Sequence, residues 1–224
     1  MFESLKLSDL PRKQCEVLRK PSATRPTIRV VEEDGVRAVV KDFSTSRFLF
    51  RNTAGRFLVW RERRAYRRMV NLKGIPKLYR VIDGLALVLE KIEGSSLEDL
   101  EDRVEIPEAF FDALKTLVAG FHKRGLAHCD LKRAPNTVVG VDGRPYIIDW
   151  GASISEREFG FFPLNLIYKR FRRDDYAAIT KMKLRHIPQM VTAEERRIYE
   201  NRGRAEKALR GLRDRLREFL QKIA

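Results

Sequence analysis

The sequence predicts an α+β fold in two lobes, a small antiparallel sheet followed by a mainly helical half, and three observations carry this. Between residues 27 and 43, β-branched and polar residues alternate on either side of Asp34-Gly35, the period-two pattern of a hairpin closed by a tight turn. Residues 107 to 124 switch to helical spacing, with Phe110, Leu114, Leu117, Val118 and Phe121 on one face. Two loops bearing carboxylates then follow in the helical half, His128-Cys129-Asp130 and Asp149-Trp150-Gly151. At 224 residues the chain is long enough for one domain or for two small lobes sharing a cleft.

The expected units are an N-terminal extension at 1–17, a sheet lobe at 18–93, a helical lobe at 94–190 and a basic amphipathic helix at 191–224. In the sheet lobe, strands at 27–32 and 36–43 flank the turn, and the second runs Ala38-Val39-Val40-Lys41. A lysine closing an apolar strand is usually a surface strand end. Here Glu62 follows in Leu58-Val59-Trp60-Arg61-Glu62-Arg63-Arg64-Ala65-Tyr66, which has helical periodicity. Residues 85–89, Leu-Ala-Leu-Val-Leu, read as a buried strand ending at Glu90-Lys91-Ile92, after which Ser95 or Ser96 is expected to cap a helix. Strands flanking Asp142-Gly143 deliver Asp149.

Beyond Asp149 lies Phe159-Gly160-Phe161-Phe162-Pro163, followed by Leu164-Asn165-Leu166-Ile167-Tyr168-Lys169-Arg170-Phe171-Arg172-Arg173. The favoured expectation is that its aromatics pack on the helical lobe. The sharper one is an apolar and basic surface suited to an amphiphilic, anionic acceptor or a membrane face. A helix is expected to open at Asp175, with Asp174 or Asp175 as its N-cap. Thr192 and Glu195 form a capping box, and beyond them Leu209, Leu212, Leu216, Phe219 or Leu220, and Ile223 make an apolar stripe.

Forty-six basic against 31 acidic residues leave a formal charge of +15, which predicts attraction to an anionic membrane surface or an acidic partner. The basic residues cluster at Arg61, Arg63, Arg64, Arg67 and Arg68 and again at Lys169, Arg170, Arg172 and Arg173. They come without zinc-finger spacing, an RNA-binding aromatic signature or a helix-turn-helix pattern, which disfavours nucleic acid. Cys15 and Cys129 are too few for a disulfide scaffold and lack metal-ligand spacing. No apolar run reaches the ~18 residues of a membrane span, and the first residues lack a signal-peptide layout. The expected location is therefore cytoplasmic, with a surface suited to peripheral attachment on the inner face of the membrane.

The order hairpin, Lys41, Glu62, strand 85–89, helix, Asp130, Asn136, Asp149 resembles a reduced bilobal protein-kinase-like fold. Among its branches it is similar to RIO-type atypical kinases and to the bacterial kinases of Kdo or heptose in the lipopolysaccharide core. The resemblance spans about residues 18 to 180 and implies ATP and Mg²⁺ as cofactors. It implies that Lys41, paired with Glu62, grips the α- and β-phosphates, that the backbone at Glu90 and Ile92 receives adenine, and that Asn136 and Asp149 hold the metal. Asp130 would take the acceptor's proton and Lys132 would offset γ-phosphate charge, while His128 packs structurally. One of Asp174 and Asp175 resembles the buried aspartate that braces the family's catalytic loop.

The chain also departs from that pattern. No glycine-rich loop precedes the hairpin; its place falls near Arg19-Lys20-Pro21-Ser22-Ala23-Thr24, where Lys20 or Arg25 would meet phosphates. Asn136 is sixth rather than fifth after Asp130, which predicts a bulge between Lys132 and Pro135. Cys129 replaces the arginine that reads activation-loop phosphorylation, and no Ala-Pro-Glu follows. The expected activity is transfer of the γ-phosphate of ATP to a hydroxyl, best read as a sugar of a membrane glycolipid. The alternatives are a RIO-like Ser/Thr protein kinase and a non-catalytic scaffold.

Overall fold

The computed structural model describes residues 2–20 and 22–200. Strands β1 (Gln14–Arg19), β2 (Thr27–Glu33), β3 (Val36–Asp42), β4 (Leu78–Ile82) and β5 (Ala86–Glu90) form one antiparallel sheet in the order β1-β2-β3-β5-β4. The β2–β3 turn places Asp34 and Gly35 both at positive φ, 53° and 74°, the backbone that an Asp-Gly hairpin turn requires. Register pairs Lys41 with Ile28 on one side and with Leu87 on the other, so Lys41 is held in the middle of the sheet. The α+β class and the reduced kinase-like architecture are thus those of the structure.

The N-terminal segment is not a free extension. Phe2, Leu5 and Leu10 are buried against Val31, Ala38, Val40, Ile82, Ala86 and Val88 on one face of the sheet. On the other face lies α1 (Arg56–Arg68), entered through Phe48–Phe50 and a π turn at Arg51–Gly55. Its Val59, Ala65 and Tyr66 join the main core, which continues through Leu87, Leu114, Val118, Phe121 and Trp150 into the second half of the chain. One apolar core therefore ties the sheet to the helices.

No helix follows Ser95 or Ser96. Instead β6 (Gly94–Ser96) pairs with β8 (Thr137–Gly140), and Ser96 closes a turn by accepting the Asp99 N–H at 3.1 Å. Gly94 has φ 155°, and a Cβ there would stand 2.1 Å from the Val139 carbonyl oxygen, so the pairing demands glycine. Helix α2 (Glu108–Lys123) buries the face expected for it and feeds β7 (Leu126–Ala127). Strands β8 and β9 (Pro145–Ile147) flank Asp142-Gly143, and β10 (Ile154–Ser155) pairs back on β7.

Helix α3 runs Leu164–His186, so it opens eleven residues before the expected start and Asp175 lies inside it, 1% exposed. The aromatics ahead of and within its first turns divide. Tyr168 packs with Ala127 and Ile154, and Phe159 and Phe171 lie against them. Phe161 and Phe162 are 66% and 76% exposed, so the packing expected for this segment holds for only part of it.

Thr192 and Glu195 do form a capping box: the Thr192 side chain accepts the Glu195 N–H at 3.1 Å, and Glu195 accepts the Thr192 N–H at 3.0 Å. The apolar stripe at Leu209 to Ile223 lies outside the described residues. Among those described, no helix is long and apolar enough to cross a membrane. Glu195 also pairs with Lys115 and with the buried Lys183. Burial alone would raise its carboxyl, but Lys115, the Thr192 N–H and Lys183 together hold it down to about 2. A depressed folded pKa adds stability above the ordinary 4.5, and that stability is lost as the pH falls through 4.5 toward about 2. Glu195→Gln should therefore cost about 1 kcal/mol near neutrality. In urea titrations the gap to wild type should close as the solution is acidified.

Candidate active site

The centre of the cleft is a triad drawn from three elements. Lys41 of β3 donates from Nζ to Glu62 Oε1 of α1 at 2.6 Å and to Asp149 Oδ1 at 2.8 Å. Lys41 and Glu62 are buried, whereas the Asp149 side chain is 48% exposed toward the cleft. Burial opposes the Lys41 charge, but Glu62 and Asp149 outweigh it and hold the amine above its usual range. Burial likewise works against the Asp149 charge, and the pull of Lys41 overcomes it and keeps the carboxyl below its usual range. One ammonium between two carboxylates leaves one net negative charge at the mouth, an environment for a cation.

The sequence around Asp149 explains its placement. Ile147 is fully buried and Trp150 fills the core behind the cleft, edge-on to Phe121 and His128. Asp149 itself sits at φ 64°, a strained backbone for a non-glycine residue, which turns its carboxylate away from the core and toward Lys41.

The facing wall is the loop from His128 to Asn136. His128 Nε2 donates to the Ile148 carbonyl at 3.0 Å, and Nδ1 accepts the Asp130 N–H at 3.3 Å, so the ring is a structural link between the two loops. Asp175 carries the loop from beneath: its carboxylate accepts the His128 and Cys129 N–H groups at 2.9 and 3.2 Å and His122 Nε2 at 2.9 Å. Of the two aspartates named from sequence, Asp175 is the brace, and it is no N-cap. Cys129 stands at φ 67°, and burial pushes its thiol up, which keeps it protonated and unreactive.

The extra loop residue is absorbed by two successive turns. Arg133 N–H donates to the Asp130 carbonyl, and Asn136 N–H to the Arg133 carbonyl. Asn136 Nδ2 then reaches the Asp130 carbonyl at 3.0 Å, and the Ile148 N–H donates to the Asn136 carbonyl, so Asn136 is fixed beside the segment that leads from β9 to Asp149. Its amide oxygen has no hydrogen-bond partner among the described residues. Lys132 is exposed, and its carbonyl accepts Lys181 Nζ.

Two cations here escaped the sequence reading. Arg133 Nε lies 3.2 Å from Asp130 Oδ2, and the charge of Arg19, at the end of β1, is felt at Asp149. Arg19 lies in the stretch read as the phosphate-loop substitute, and the only available signal was its position there. Of the two residues expected to receive adenine, Glu90 donates its N–H to the Lys77 carbonyl, and its carboxylate accepts the Lys77 N–H at 2.9 Å. No backbone carbonyl among the described residues takes the Ile92 N–H.

Three arginines of the α1 cluster, Arg61, Arg64 and Arg68, turn toward the segment after Asp149. Arg61 donates to the Ser153 carbonyl at 2.9 Å, Arg68 bonds the Ser155 side chain, and Arg61 and Arg64 each lie 3.8 Å from Glu158. These contacts clamp α1 to the segment after Asp149, and with it Glu62 to Lys41.

A family model described as the RIO domain matches residues 37–184. The chain belongs to the RIO-domain family. Among curated proteins, none matches the chain. RIO domains are atypical kinase-like phosphotransferase domains that generally bind ATP and Mg²⁺. The match covers the triad, the loop and its Asp175 brace, and starts inside β3, leaving β1 and β2 outside it.

For such a domain the donor set is informative. Among the described residues no three His, Cys, Asp or Glu side chains converge as a metal cage. Asp149 and Asn136 offer one carboxylate and one amide oxygen, which fits Mg²⁺ shared with phosphates rather than held by protein alone.

Proposed function

We propose that this RIO-domain protein transfers the γ-phosphate of ATP to a sugar hydroxyl of a membrane glycolipid such as the lipopolysaccharide core. The transfer itself is supported above all by Lys41 held between Glu62 and Asp149, opposite a loop that presents Asp130. Lys41 orients the α- and β-phosphates, and the backbone at Glu90 and Ile92 receives adenine. Mg²⁺ bound with ATP supplies positive charge along the phosphates, and Asp149 and Asn136 are the residues that would hold it. Asp130 Oδ1 accepts the proton of the attacking hydroxyl, while Arg133 fixes Oδ2 and Lys132 offsets charge on the phosphoryl group in flight. The acceptor oxygen bonds to phosphorus as the bond to the ADP oxygen breaks, and no covalent enzyme intermediate forms.

The acceptor class is supported by the ridge after Asp149. Phe161, Phe162, Leu166 and Ile167 are all exposed, with exposed Lys169 and Arg173 following on the same helix. Aromatic and aliphatic side chains rimmed by cations suit the boundary of an anionic membrane. A Ser/Thr protein acceptor is the second reading, favoured by Lys132 two residues after Asp130 and by the family.

Incubation with Mg²⁺ and γ-labelled ATP, in the presence of separate lipid and protein fractions of a cell extract, decides between them. Label in a glycolipid is expected, label confined to protein rejects the glycolipid, and label in neither fraction rejects transfer. Arg133→Ala should slow transfer about tenfold, the ~1.4 kcal/mol of one charge-assisted contact. It should leave the melting temperature unchanged, because Arg133 is 70% exposed and exposed pairs add little stability.

A further inference from the structure

A groove of about 1760 Å³ lies between the end of α1, β4, α2 and the β8–β9 turn. Among the described residues its walls carry Arg63, Arg67, Lys73, Lys77, Arg80 and Arg144 against a single acid, Glu90, whose carboxylate is occupied by the Lys77 N–H. Arg80 donates to the Phe2 carbonyl and Arg144 lies 3.9 Å from Asp142. The side chains of Arg63, Arg67, Lys73 and Lys77 make no ion pair or hydrogen bond among the described residues. None of the contacts among the described residues draws on these four cations of one groove.

The groove has a second property. Strand β4 ends the five-stranded sheet, and Lys77 to Val81, consecutive residues along that edge, all line the groove. An edge strand presents a row of backbone N–H and C=O groups ready to pair with another extended chain. Like charges at Lys77 and Arg80 repel a second copy of β4, but they attract a strand of opposite sign. We propose that this groove binds an extended acidic peptide segment of a partner protein, which adds to β4 as a sixth strand and sets its carboxylates against Arg63, Arg67, Lys73 and Lys77.

The chemistry of the walls selects a peptide over a single-stranded nucleic acid. Single strands held in basic grooves stack their bases on free aromatic faces. The three tyrosines here are committed: Tyr66 is 3% exposed, Tyr79 packs on the Phe2 ring, and Tyr146 donates to Asp142. Leu72, Leu78 and Leu117 instead supply apolar contacts for alternate side chains of a strand. The chain's own residues 201–224 carry more basic than acidic side chains, the wrong sign for this site. The proposal is independent of the phosphotransfer reading, since Glu90 alone is shared with the proposed ATP site.

The test uses the full chain and a fluorescent peptide alternating glutamate and valine, followed by anisotropy. Saturable binding is expected, with an alternating lysine and valine peptide inactive. Arg63→Glu combined with Arg67→Glu, and separately Lys73→Glu combined with Lys77→Glu, should each weaken binding about tenfold or more at unchanged melting temperature. Amide hydrogen exchange at residues 78–82 should slow when the peptide is bound. Absence of binding, equal binding by the lysine peptide, or full affinity in both folded variants overturns the acidic site. Binding without protection of residues 78–82 overturns strand addition. Oligouridylate that binds this groove more tightly than the acidic peptide overturns the choice of partner.

Discussion

Asp130→Asn should lower phosphate transfer by about 10²–10⁴-fold, the usual contribution of a positioned general base, while nucleotide affinity stays within a factor of about two. The two halves of this result come from different contacts. The substitution keeps the shape of the side chain and removes its ability to take a proton. It leaves the Asn136 side chain on the Asp130 backbone carbonyl, and the Asp130 N–H on His128, because neither bond uses the carboxylate. Lys41, Glu62 and Asp149 bond one another without Asp130, so the proposed nucleotide grip is untouched. The one lost ion pair, to the exposed Arg133, is of the kind worth little to stability. Single-turnover transfer and nucleotide binding measured on the same preparation separate the outcomes. Transfer at the wild-type rate would remove Asp130 as the base, and loss of nucleotide binding would make its role structural.

Much of this arrangement is readable from residues alone, and what is not has a physical cause. Lys41 and Glu62 are legible because each ends or interrupts an apolar pattern at a spacing that one sheet and one helix can bridge. Strand β1 is not, because all but the last of its residues are exposed and burial imprints no alternation on Gln14–Arg19. Phe2, Leu5 and Leu10 resemble scattered apolar residues until the sheet supplies a face to cover. The run Leu164 to Arg173 is compatible with helix throughout, but only some of its apolar residues are covered, so its periodicity is blurred and the start of α3 slips to the next capping-type residue. The arginines of α1 mislead in the opposite direction. Their clustering suggests an outward basic surface, yet Arg61, Arg64 and Arg68 are satisfied by Ser153, Ser155 and Glu158, contacts that exist only once the segment after Asp149 folds back. Arg63 and Arg67, on another side of the same helix, are the ones that face the groove.

That fold-back bears on control. In this chain α1 is held against the segment after Asp149 by arginine contacts to Ser153, Ser155 and Glu158, and β10 pairs with β7 beneath it. Cys129 supplies no cation for a phosphorylated loop. The pair of Lys41 and Glu62 is formed together with these arginine contacts.

Asp175→Ala should destabilise the protein by about 3–5 kcal/mol, the cost of breaking a buried charged network from one side, or a fall of roughly 10 °C in melting temperature for a domain of this size. Three donors point at this one carboxylate: the His128 and Cys129 N–H groups and His122 Nε2, all in or beneath the loop that carries Asp130. Alanine leaves all three without an acceptor where water does not reach, as Asp175 is 1% and His128 0% exposed. It also removes what holds Cys129 at φ 67°, a conformation that costs about 1–3 kcal/mol and persists only when its surroundings impose it. Asp175→Asn should be milder, about 2 kcal/mol, since the amide keeps one acceptor oxygen but turns an NH₂ toward at least one donor. Transfer should fall in both variants in proportion to the disorder of the loop, and it should fall even at temperatures where the protein remains folded. Urea denaturation of the two variants, read beside hydrogen exchange at residues 128–130, checks the assignment. If Asp175→Ala melts like the wild type and those amides exchange no faster, the loop does not depend on Asp175. His128, bonded to Ile148 on one side and to the Asp130 N–H on the other, would then be sufficient to hold it.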